Sequence, residues 1–442
     1  MKRINKNVLK QAIVENRNFI RKIPGKFIER ECFRLPENVK KVIILHGVRR
    51  SGKTYLRYHL MKENPDNSLY IDFEDERLEG FSPGDFETLR EAFYELSPGL
   101  IQKKVYFLFD EIQEVEGWEK FCRRMVEKTP VEVFTAGSSS KIYPENISTT
   151  LRGRAWSIEV FPFSFKEFAA FKGSKADDLL LASEERFRMV EYFSEYLKWG
   201  GFPEVISAKS EFEKQKIIKE YLDAIFFKDL VERYEVSNLP LLKTLKNKIF
   251  STFSTKFSLT SFYNKTKGSF PFSRDLLYRY YQHLLDSKTV FAARKFSDSE
   301  YKKTRNPAKV YIIDSSLSQR VAHDDSARVL ENTVFIELLR RNYKPHYFSN
   351  ANECDFIAVR EDKTDVIQVT YQLDERNRQR EFNGIIEAAK RIRTNIGYIL
   401  TYNEADEFVI EDINIKVVPA WKWLLDNTKV DKKDKIVYDN EK

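Results

Sequence analysis

The sequence of 442 residues is poor in cysteine and has no long apolar run. Its three cysteines, Cys32, Cys122 and Cys354, lie far apart and form no CxxC pair, which argues against a disulfide framework or a zinc site. The sequence contains no run of about 18 apolar residues, which argues against a transmembrane helix. The N-terminal residues also lack the apolar core of a secretory signal. We therefore expect a protein of the reducing cytoplasm that does not engage a membrane.

The sequence also has little net charge: it contains 75 Lys and Arg and 67 Asp and Glu, which gives a formal net charge of +8. The excess is unevenly distributed. Residues 241–310 hold eleven Lys and four Arg against three Asp and one Glu, so this segment carries +11 and the remainder −3. A basic segment of this kind favours a polyanionic partner such as DNA.

Short apolar runs separated by helix-length segments predict a parallel sheet buried on both faces, typical of an α/β layer. The predicted strands are residues 42–47, 68–73, 105–110 and 131–137. The second of these would lie between the first and the third in the sheet. From about Phe165 to Arg233 the pattern becomes helical, and the WGGFP run of residues 199–203 predicts a tight turn between helices.

The run GVRRSGKT, residues 47–54, matches the phosphate-binding loop pattern G-x-x-x-x-G-K-[S/T] between a strand and a helix. Glycines at its two ends allow backbone amides to converge on phosphates at the positive end of the helix. Lys53 would reach the β- and γ-phosphates, and the Thr54 hydroxyl would ligate magnesium. The predicted nucleotide-binding residues are Gly47, Val48, Arg49, Arg50, Ser51, Gly52, Lys53 and Thr54. Arg49 and Arg50 would face phosphate, DNA or solvent, and the pattern does not choose among these.

Two acids follow the apolar run Tyr106–Phe109 at the predicted carboxyl edge of the sheet, where nucleotides bind in open α/β folds. Asp110 is the predicted second magnesium residue, acting mostly through the water shell of the ion. Glu111 is the predicted general base that polarises the attacking water. The sequence therefore predicts a magnesium-dependent ATP site.

Two weaker motifs complete the predicted site. Ser138 and Ser139 end the strand of residues 131–137 and would sense the γ-phosphate or orient water, although a serine-rich turn is the alternative. Arg152 and Arg154 would neutralise transition-state charge, either in the same chain or from a neighbouring subunit. Ordinary surface arginines are the alternative for this pair.

Several runs together resemble the AAA-type ATPases of archaea and bacteria that carry a C-terminal domain of unknown function: RRSGKT, YIDFEDERL, FLFDEIQEVEGWEKFCRRM, TAGSSS, LRGRAWSIEVFPFSFKEF and YLKWGGFPEV. The resemblance implies an α/β P-loop NTPase core with a helical lid, a winged-helix domain and an α/β restriction-endonuclease-like domain. It also adds weight to the serine and arginine pairs as nucleotide-site residues. The expected segments are a helical lead-in (1–35), the ATPase core (36–164), the lid (165–240), the winged helix (241–322), the nuclease-like domain (323–428) and a charged tail (429–442).

The basic segment matches a winged-helix layout, in which one helix enters a DNA groove and a basic hairpin contacts phosphate. The predicted DNA contacts are Arg274 and Arg279 on the recognition helix and Lys295, Lys302, Lys303 and Arg305 on the wing. Tyr278, Tyr280 and Tyr281 on the same helix are expected to pack in the core. The alternative is a winged helix that makes oligomer contacts and leaves its basic face in solvent.

The last domain carries part of the PD-(D/E)XK nuclease signature, in which acids from a helix and two strands hold metal. Glu331, with Glu337 as a second candidate, Asp355 and Gln368 are the candidate ligands of this second metal site. Thr370 stands where the signature lysine belongs. The missing lysine favours a degenerate domain kept for DNA or partner binding over an active nuclease, and Asp355 would then be only a strand-end acid.

These features predict a magnesium-dependent ATPase coupled to DNA binding. Two further hypotheses remain open at this stage. One is a nucleotide-controlled signalling or defence switch that changes its assembly with little steady turnover, and the other is an ATP-gated nuclease. A homo-oligomer is compatible with all three.

Overall fold

The computed structural model describes residues 3–23, 27–36, 39–137, 142–143, 147, 150–174, 183–299, 306–318, 325–361 and 363–426. The chain forms two compact units that are each built from separate segments. Unit 1 comprises Met1–Phe163, Gly201–Lys248 and Thr260–Phe291, and unit 2 comprises Ser164–Gly200, Ile249–Leu259 and Ala292–Lys442. The backbone therefore passes from one unit to the other five times. The six predicted segments remain a prediction from the sequence.

Helices and strands alternate through much of the described chain. The helices are α1 (Lys6–Lys22), α2 (Lys53–Glu63), α3 (Asp85–Leu96), α4 (Trp118–Lys128), α5 (Phe165–Phe171), α6 (Ser183–Trp199), α7 (Pro203–Ser207), α8 (Glu211–Ala224), α9 (Leu239–Ser251), α10 (Leu259–Thr266), α11 (Arg274–Asp286), α12 (Ser326–Arg340), α13 (Arg378–Ile392) and α14 (Ala420–Leu425). The strands are β1 (Val42–His46), β2 (Ser68–Asp72), β3 (Val105–Asp110), β4 (Val131–Ala136), β5 (Ala155–Glu159), β6 (Thr255–Phe257), β7 (Val290–Ala293), β8 (Ala308–Ile312), β9 (Lys344–Ser349), β10 (Glu353–Arg360), β11 (Lys363–Val369), β12 (Ile396–Thr401), β13 (Asp406–Ile410) and β14 (Ile413–Pro419).

The sheet of unit 1 is fully parallel, with the strand order β2-β3-β4-β1-β5. The four predicted strands are present, and β5 is an additional edge strand. The predicted position of β2 is wrong, because β4 and not β2 separates β1 from β3. Helix α1 explains how β2 can lie at the edge. The side chain of Asn16 donates to the Tyr70 carbonyl at 3.2 Å, and Arg17 Nε donates to the Ser68 carbonyl at 3.4 Å.

The core of unit 1 lies between this parallel sheet and the surrounding helices. Leu9, Ala12 and Ile13 of α1 are buried in the same apolar cluster as strand residues of β1, β2 and β3. The predicted N-terminal lead-in therefore contributes to the core of the sheet domain. Burial of apolar side chains on both faces explains why the strands read as continuous apolar runs.

The predicted helical stretch after Phe165 and the turn at residues 199–203 are confirmed. Helix α6 ends at Trp199, Gly200 has a φ of +72°, and Pro203 begins α7. A side chain at Gly200 would also collide with the carboxylate of Asp314. Helix α8 continues into a π-helical segment, Ile225–Glu232.

The basic segment has the element order α9, β6, α10, α11, β7 and β8, and its strands form a sheet in the order β6-β8-β7. Tyr280 on α11 is buried, as expected. The core assignment of Tyr278 is wrong, because 52% of that residue is exposed on the solvent side of the helix.

Unit 2 contains a six-stranded mixed sheet in the order β13-β14-β12-β11-β10-β9. The runs ECDFIAV, TDVIQVTY and NIGYILTY form most of β10, β11 and β12. Helix α13 packs Phe382, Ile385 and Ala389 into an apolar cluster with residues of these strands. Cys122 and Cys354 are buried and belong to no disulfide, and no helix of the described residues is both long and apolar enough to cross a bilayer.

Candidate nucleotide-binding site

The phosphate-binding loop connects the carboxyl end of β1 to the first turn of α2. Gly47 has a φ of +133°, and a side chain there would collide with the carbonyl oxygen of Val160. Gly52 has a φ of +99° and caps the N-terminus of α2. Both positions adopt left-handed backbone that favours glycine. The tight turn therefore depends on the two glycines that define the motif.

Lys53 is buried and points back into the loop. Its Nζ donates to the carbonyl oxygens of Gly47 at 3.1 Å and Val48 at 2.9 Å. Burial lowers the pKa of Lys53 to about 8, although the carboxylates of Glu111 and Asp110 oppose this shift. The ammonium is thus held at the loop in an environment that favours the approach of a compensating anion.

Thr54 and Asp110 present their oxygens to each other, since Thr54 Oγ1 donates to Asp110 Oδ2 at 3.0 Å. A hydroxyl and a carboxylate at one point are the oxygen ligands that magnesium prefers, and these residues therefore fit the ion. Two side chains that sequence analysis missed also reach Asp110. Tyr70 donates to Asp110 Oδ2 at 3.2 Å, and the fully buried guanidinium of Arg57 forms an ion pair with the same carboxylate.

Glu111 lies one residue beyond β3 in a left-handed conformation with a φ of +44°. Its Oε2 accepts a hydrogen bond from Gln113 Nε2 at 2.5 Å, which orients the carboxylate. Asp72 ends β2 directly opposite Asp110 in the register of the two strands. Burial and the charge of Asp110 raise the pKa of Asp72 to about 6, against a hydrogen bond from the Glu74 backbone. The carboxyl edge of the sheet is therefore strongly acidic.

The arginines near the loop have different partners. Arg49 Nη2 lies 3.3 Å from Oδ1 of the buried Asp229, so this side chain is held by a protein carboxylate. Arg50 is exposed, with Nη1 3.8 Å from a carboxylate oxygen of Glu204. Arg30, which no sequence motif predicts, donates from its buried guanidinium to the Ser51 carbonyl at 3.0 Å.

The Arg30 guanidinium also donates to the Phe161 carbonyl at 2.6 Å. It therefore joins the phosphate-binding loop to the segment that follows β5. This contact fixes the position of the loop independently of the motif itself.

Arg152 and Arg154 do not reach this site within the same chain. The Arg154 carbonyl accepts from the amide of Val42 at the start of β1, at 2.7 Å, whereas the loop follows the other end of that strand. At about 3.3 Å per residue, the two ends of β1 are separated by roughly 13 Å. Both side chains are exposed, and Arg154 Nε lies 3.2 Å from Glu127 Oε1. In this structure both arginines therefore lie at the end of the sheet opposite the phosphate-binding loop of their own chain. Ser138 and Ser139 lie outside the described residues.

The candidates for a second metal site meet in unit 2, but around an ammonium group. Lys309 Nζ lies 2.8 Å from Asp355 Oδ1 and 3.3 Å from Glu331 Oε1. Gln368 is close by, and its Oε1 accepts from the Asp355 amide at 3.0 Å. Among the residues described, no group of three or more His, Cys, Asp or Glu side chains is suited to holding a metal ion. These residues do not fit a metal, and Glu337 pairs instead with Arg341 at 2.8 Å.

The predicted DNA contacts are only partly described, because Lys302, Lys303 and Arg305 lie outside the described residues. Arg274 and Arg279 are exposed on α11, and the backbone of Lys295 bridges to Tyr347. Two lysines of the basic segment do not face outward as free charges. Lys256 and Lys309 both form ion pairs with Glu353, at 2.6 and 3.1 Å.

Known protein families and individual proteins match the sequence of this chain. The family described as "AAA domain" matches residues 39–169, and "Domain of unknown function (DUF8612)" matches residues 190–328. "Uncharacterized protein MJ1544" of Methanocaldococcus jannaschii is 34% identical over 440 residues, which cover 96% of each chain. An "Uncharacterized protein" of Haemophilus influenzae is 29% identical over 86% of this chain and 94% of its own length.

Two solved structures show weaker likeness. The Walker-type ATPase PABY2304 of Pyrococcus abyssi has 14% identity and a TM-score of 0.41, over 72% of this chain and 95% of that chain. The RuvB Holliday junction branch migration motor of Thermotoga maritima has 15% identity and a TM-score of 0.26, over 68% and 95%. These scores are too low to carry a function from those proteins to this chain. The sequence matches and the parallel sheet with its P-loop show that the chain belongs to the family of MJ1544, with an AAA-type P-loop domain in its N-terminal part.

Proposed function

We propose that the protein binds and hydrolyses ATP in a magnesium-dependent reaction. The observation that carries the proposal is the convergence of Lys53, Thr54, Asp110 and Glu111 at the carboxyl edge of the parallel sheet. Lys53 would exchange its two loop carbonyls for phosphate oxygens, and the glycine turn would supply backbone amides. Thr54 and Asp110 would hold magnesium, which when bound supplies positive charge against the phosphates.

Glu111 would accept the proton of the attacking water. Its carboxylate is oriented by Gln113, so a neutral amide at position 111 should preserve the site but not the base. Glu111→Gln should bind fluorescent ATP with wild-type affinity and lose at least about 100-fold in turnover. Glu114→Gln is the matched control, since this glutamate is exposed and lies three residues further on. Full turnover by Glu111→Gln would refute the assignment.

Lys53→Ala tests the binding half of the proposal. Loss of the ammonium should weaken ATP binding, because Lys53 is the buried cation that the carbonyls of Gly47 and Val48 hold at the loop. Equilibrium titration with a fluorescent ATP analogue measures this directly. Unchanged affinity would remove the nucleotide proposal altogether.

Arg152 and Arg154 would act on the site of a neighbouring subunit. Their position at the amino edge of the sheet and their exposure support a role between subunits. Lys53→Ala and Arg152→Ala/Arg154→Ala are each expected to be inactive. Mixing the two proteins should restore part of the activity, because some interfaces then combine an intact loop with intact arginines. Two inactive proteins that stay inactive after mixing would contradict the role between subunits.

We further propose that DNA binds to a basic and aromatic surface on α10, α11 and the segment between them. This surface, the Tyr263 patch, is formed by Tyr263, Lys265, Lys267, Phe272 and Arg274. Lys267 Nζ and the Arg274 guanidinium lie 5.9 and 5.1 Å from the centre of the Tyr263 ring. The ring of Phe272 contacts the same tyrosine at 5.4 Å. Cations beside aromatic rings suit both phosphate contact and base stacking. The element order of the basic segment supports a winged-helix arrangement.

The matched test replaces Lys267 and Arg274, the two cations beside the Tyr263 ring, by Gln and compares this variant with Lys216→Gln/Lys219→Gln. The control lysines are exposed on α8 of the same unit. Each lost phosphate contact should reduce the slope of log affinity against log salt by about 0.9. Equal affinities and slopes for the two variants would refute the patch as the DNA surface, while leaving the ATPase proposal intact.

A further inference from the structure

Unit 2 contains an acidic cluster, formed by Glu331 on α12 and Glu353 and Asp355 on β10, that surrounds one lysine. Lys309 Nζ on β8 lies 3.3, 3.1 and 2.8 Å from oxygens of these three residues. The distances to Glu353 and Asp355 match N–H···O hydrogen bonds of about 2.7–3.2 Å, and the distance to Glu331 is slightly longer. All three exceed the roughly 2.0–2.6 Å of magnesium or calcium to oxygen. The ammonium therefore occupies the point at which the carboxylates converge.

Several atoms of the cluster also have partners other than Lys309. Asp355 Oδ2 accepts from the Val369 amide at 3.0 Å, and Glu331 Oε1 accepts from the Tyr311 hydroxyl at 2.7 Å. Gln368 Nε2 donates to Glu381 Oε2 at 2.5 Å, while its carbonyl oxygen binds the Asp355 amide at 3.0 Å. Gln368 thus bridges two parts of the protein in place of a metal.

The charges of the cluster balance without a metal ion. Burial would lower the pKa of Lys309, but Asp355 and Glu331 more than offset it and raise that pKa well above its usual value. Burial and the Asp355 charge raise the pKa of Glu331 to about 8, against the influence of Lys309. Lys256 provides a second cation, 2.6 Å from Glu353 Oε2.

We propose that the Lys309 ammonium is the resident cation of the acidic cluster, in the place where a divalent ion would otherwise bind. The lysine joins β8, α12 and β10, so the cluster fastens these elements together. Consequently the cluster binds no divalent ion, and it does not catalyse metal-dependent cleavage of DNA. The inference is independent of the nucleotide site.

The test is to remove the ammonium and ask whether a metal ion takes its place. Terbium is the probe, because it resembles calcium and its emission is sensitised by a nearby tyrosine, here Tyr311. Metal-free wild type, Asp355→Asn, Lys309→Met, Lys309→Arg and Lys309→Met/Asp355→Asn would be titrated with Tb³⁺ under tyrosine excitation. We expect Asp355-dependent emission from Lys309→Met, and none from wild type or Lys309→Arg. The additional Asp355→Asn change should weaken this binding by at least about 10–100-fold.

Two outcomes would overturn the proposal. The first is sensitised emission in wild type that Asp355→Asn removes, because the cluster would then bind a metal beside the lysine. The second is a folded Lys309→Met protein that gains no such emission. If Lys309→Met is unfolded without metal, Ca²⁺ should restore a cooperative melt that Asp355→Asn abolishes. A variant that stays unfolded at every Ca²⁺ concentration also counts against the proposal.

Discussion

The ion pair between Arg57 and Asp110 gives the sharpest stability prediction for the nucleotide site. Both residues are buried, with 0% and 4% exposure, and Arg57 Nη2 also donates to Thr54 Oγ1 at 3.3 Å. Arg57→Leu leaves the Asp110 carboxylate without its cation. Asp110→Asn leaves the guanidinium without its anion, although an amide can still bind Tyr70 and Thr54.

The structure limits the size of these effects. Removal of one partner from a buried ion pair costs about 3–5 kcal/mol. The Nε and Nη1 atoms of Arg57 are buried and have no hydrogen-bond partner, and each such donor costs about 1–3 kcal/mol. Arg57→Leu relieves that cost, so we expect the lower limit, about 3 kcal/mol, for this variant. We expect about 2 kcal/mol for Asp110→Asn and about 3 kcal/mol for the double variant, a coupling of about 2 kcal/mol.

Urea unfolding of the nucleotide-free protein in EDTA measures all three variants. Arg21→Leu is the matched control, because Arg21 forms an ion pair with Asp66 at 2.8 Å while both side chains are more than half exposed. That surface pair should contribute at most about 1 kcal/mol. If the losses in unfolding free energy of the two single variants add up to that of the double variant within about 0.5 kcal/mol, the predicted coupling between Arg57 and Asp110 is refuted.

The remaining predictions concern the pH dependence of stability and the residues that hold the phosphate-binding loop in place. Burial, with the charges of Lys288 and Lys53, lowers the pKa of His46 to about 3, so the unfolded chain binds a proton first and stability falls as the pH drops from 6.5 to 3. His46→Phe should flatten that fall in pH-dependent urea unfolding, and a curve parallel to wild type would contradict it. The raised pKa of Asp72 has the opposite sign, so the contribution of Asp72 alone to stability decreases as the pH rises from about 4 to 6, and Asp72→Asn should remove this contribution. Arg30→Met should weaken binding of fluorescent ATP about tenfold, since the charged hydrogen bonds to the Ser51 and Phe161 carbonyls disappear. Unchanged affinity would show that the phosphate-binding loop keeps its conformation without Arg30. Gly47→Ala should abolish that binding, whereas a side chain at Gly99 meets nothing within 4 Å and Gly99→Ala should behave as wild type.

The local motifs were predictable because their chemistry is contiguous in sequence. The P-loop, the strand that ends in Asp110 and the turn at Gly200 each depend on neighbouring residues, and the structure shows all three elements. Strand β5 was missed because it lies at the sheet edge and only Ile158 of it is buried, so it has no continuous apolar pattern. The position of β2 was wrong since strand order depends on helix packing, not on order along the chain.

The partners of the functional residues could not be predicted, because they come from distant parts of the chain. Arg57 lies between Leu56 and Leu60 on the buried side of α2, and a charged residue in that place was the available signal. Lys309 gave a similar signal, as the one charged residue in the apolar strand β8. Which carboxylates these cations meet depends on the fold, and the count of basic residues therefore included Lys309 among charges available to DNA.

The five passages of the chain between the two units also set the order in which the protein can fold during its synthesis. Unit 1 is incomplete until Phe291 has been made, although its P-loop strand is translated 245 residues earlier, counting from His46. At about 5–20 residues per second, the ribosome needs roughly 12–50 seconds for that interval. Helices α5 and α6 must wait longer still, because their unit closes only with the strands near the C-terminus. A chain cut after Phe291 would therefore release a complete unit 1 together with two segments of unit 2, Ser164–Gly200 and Ile249–Leu259, whose apolar surfaces would be targets for chaperones.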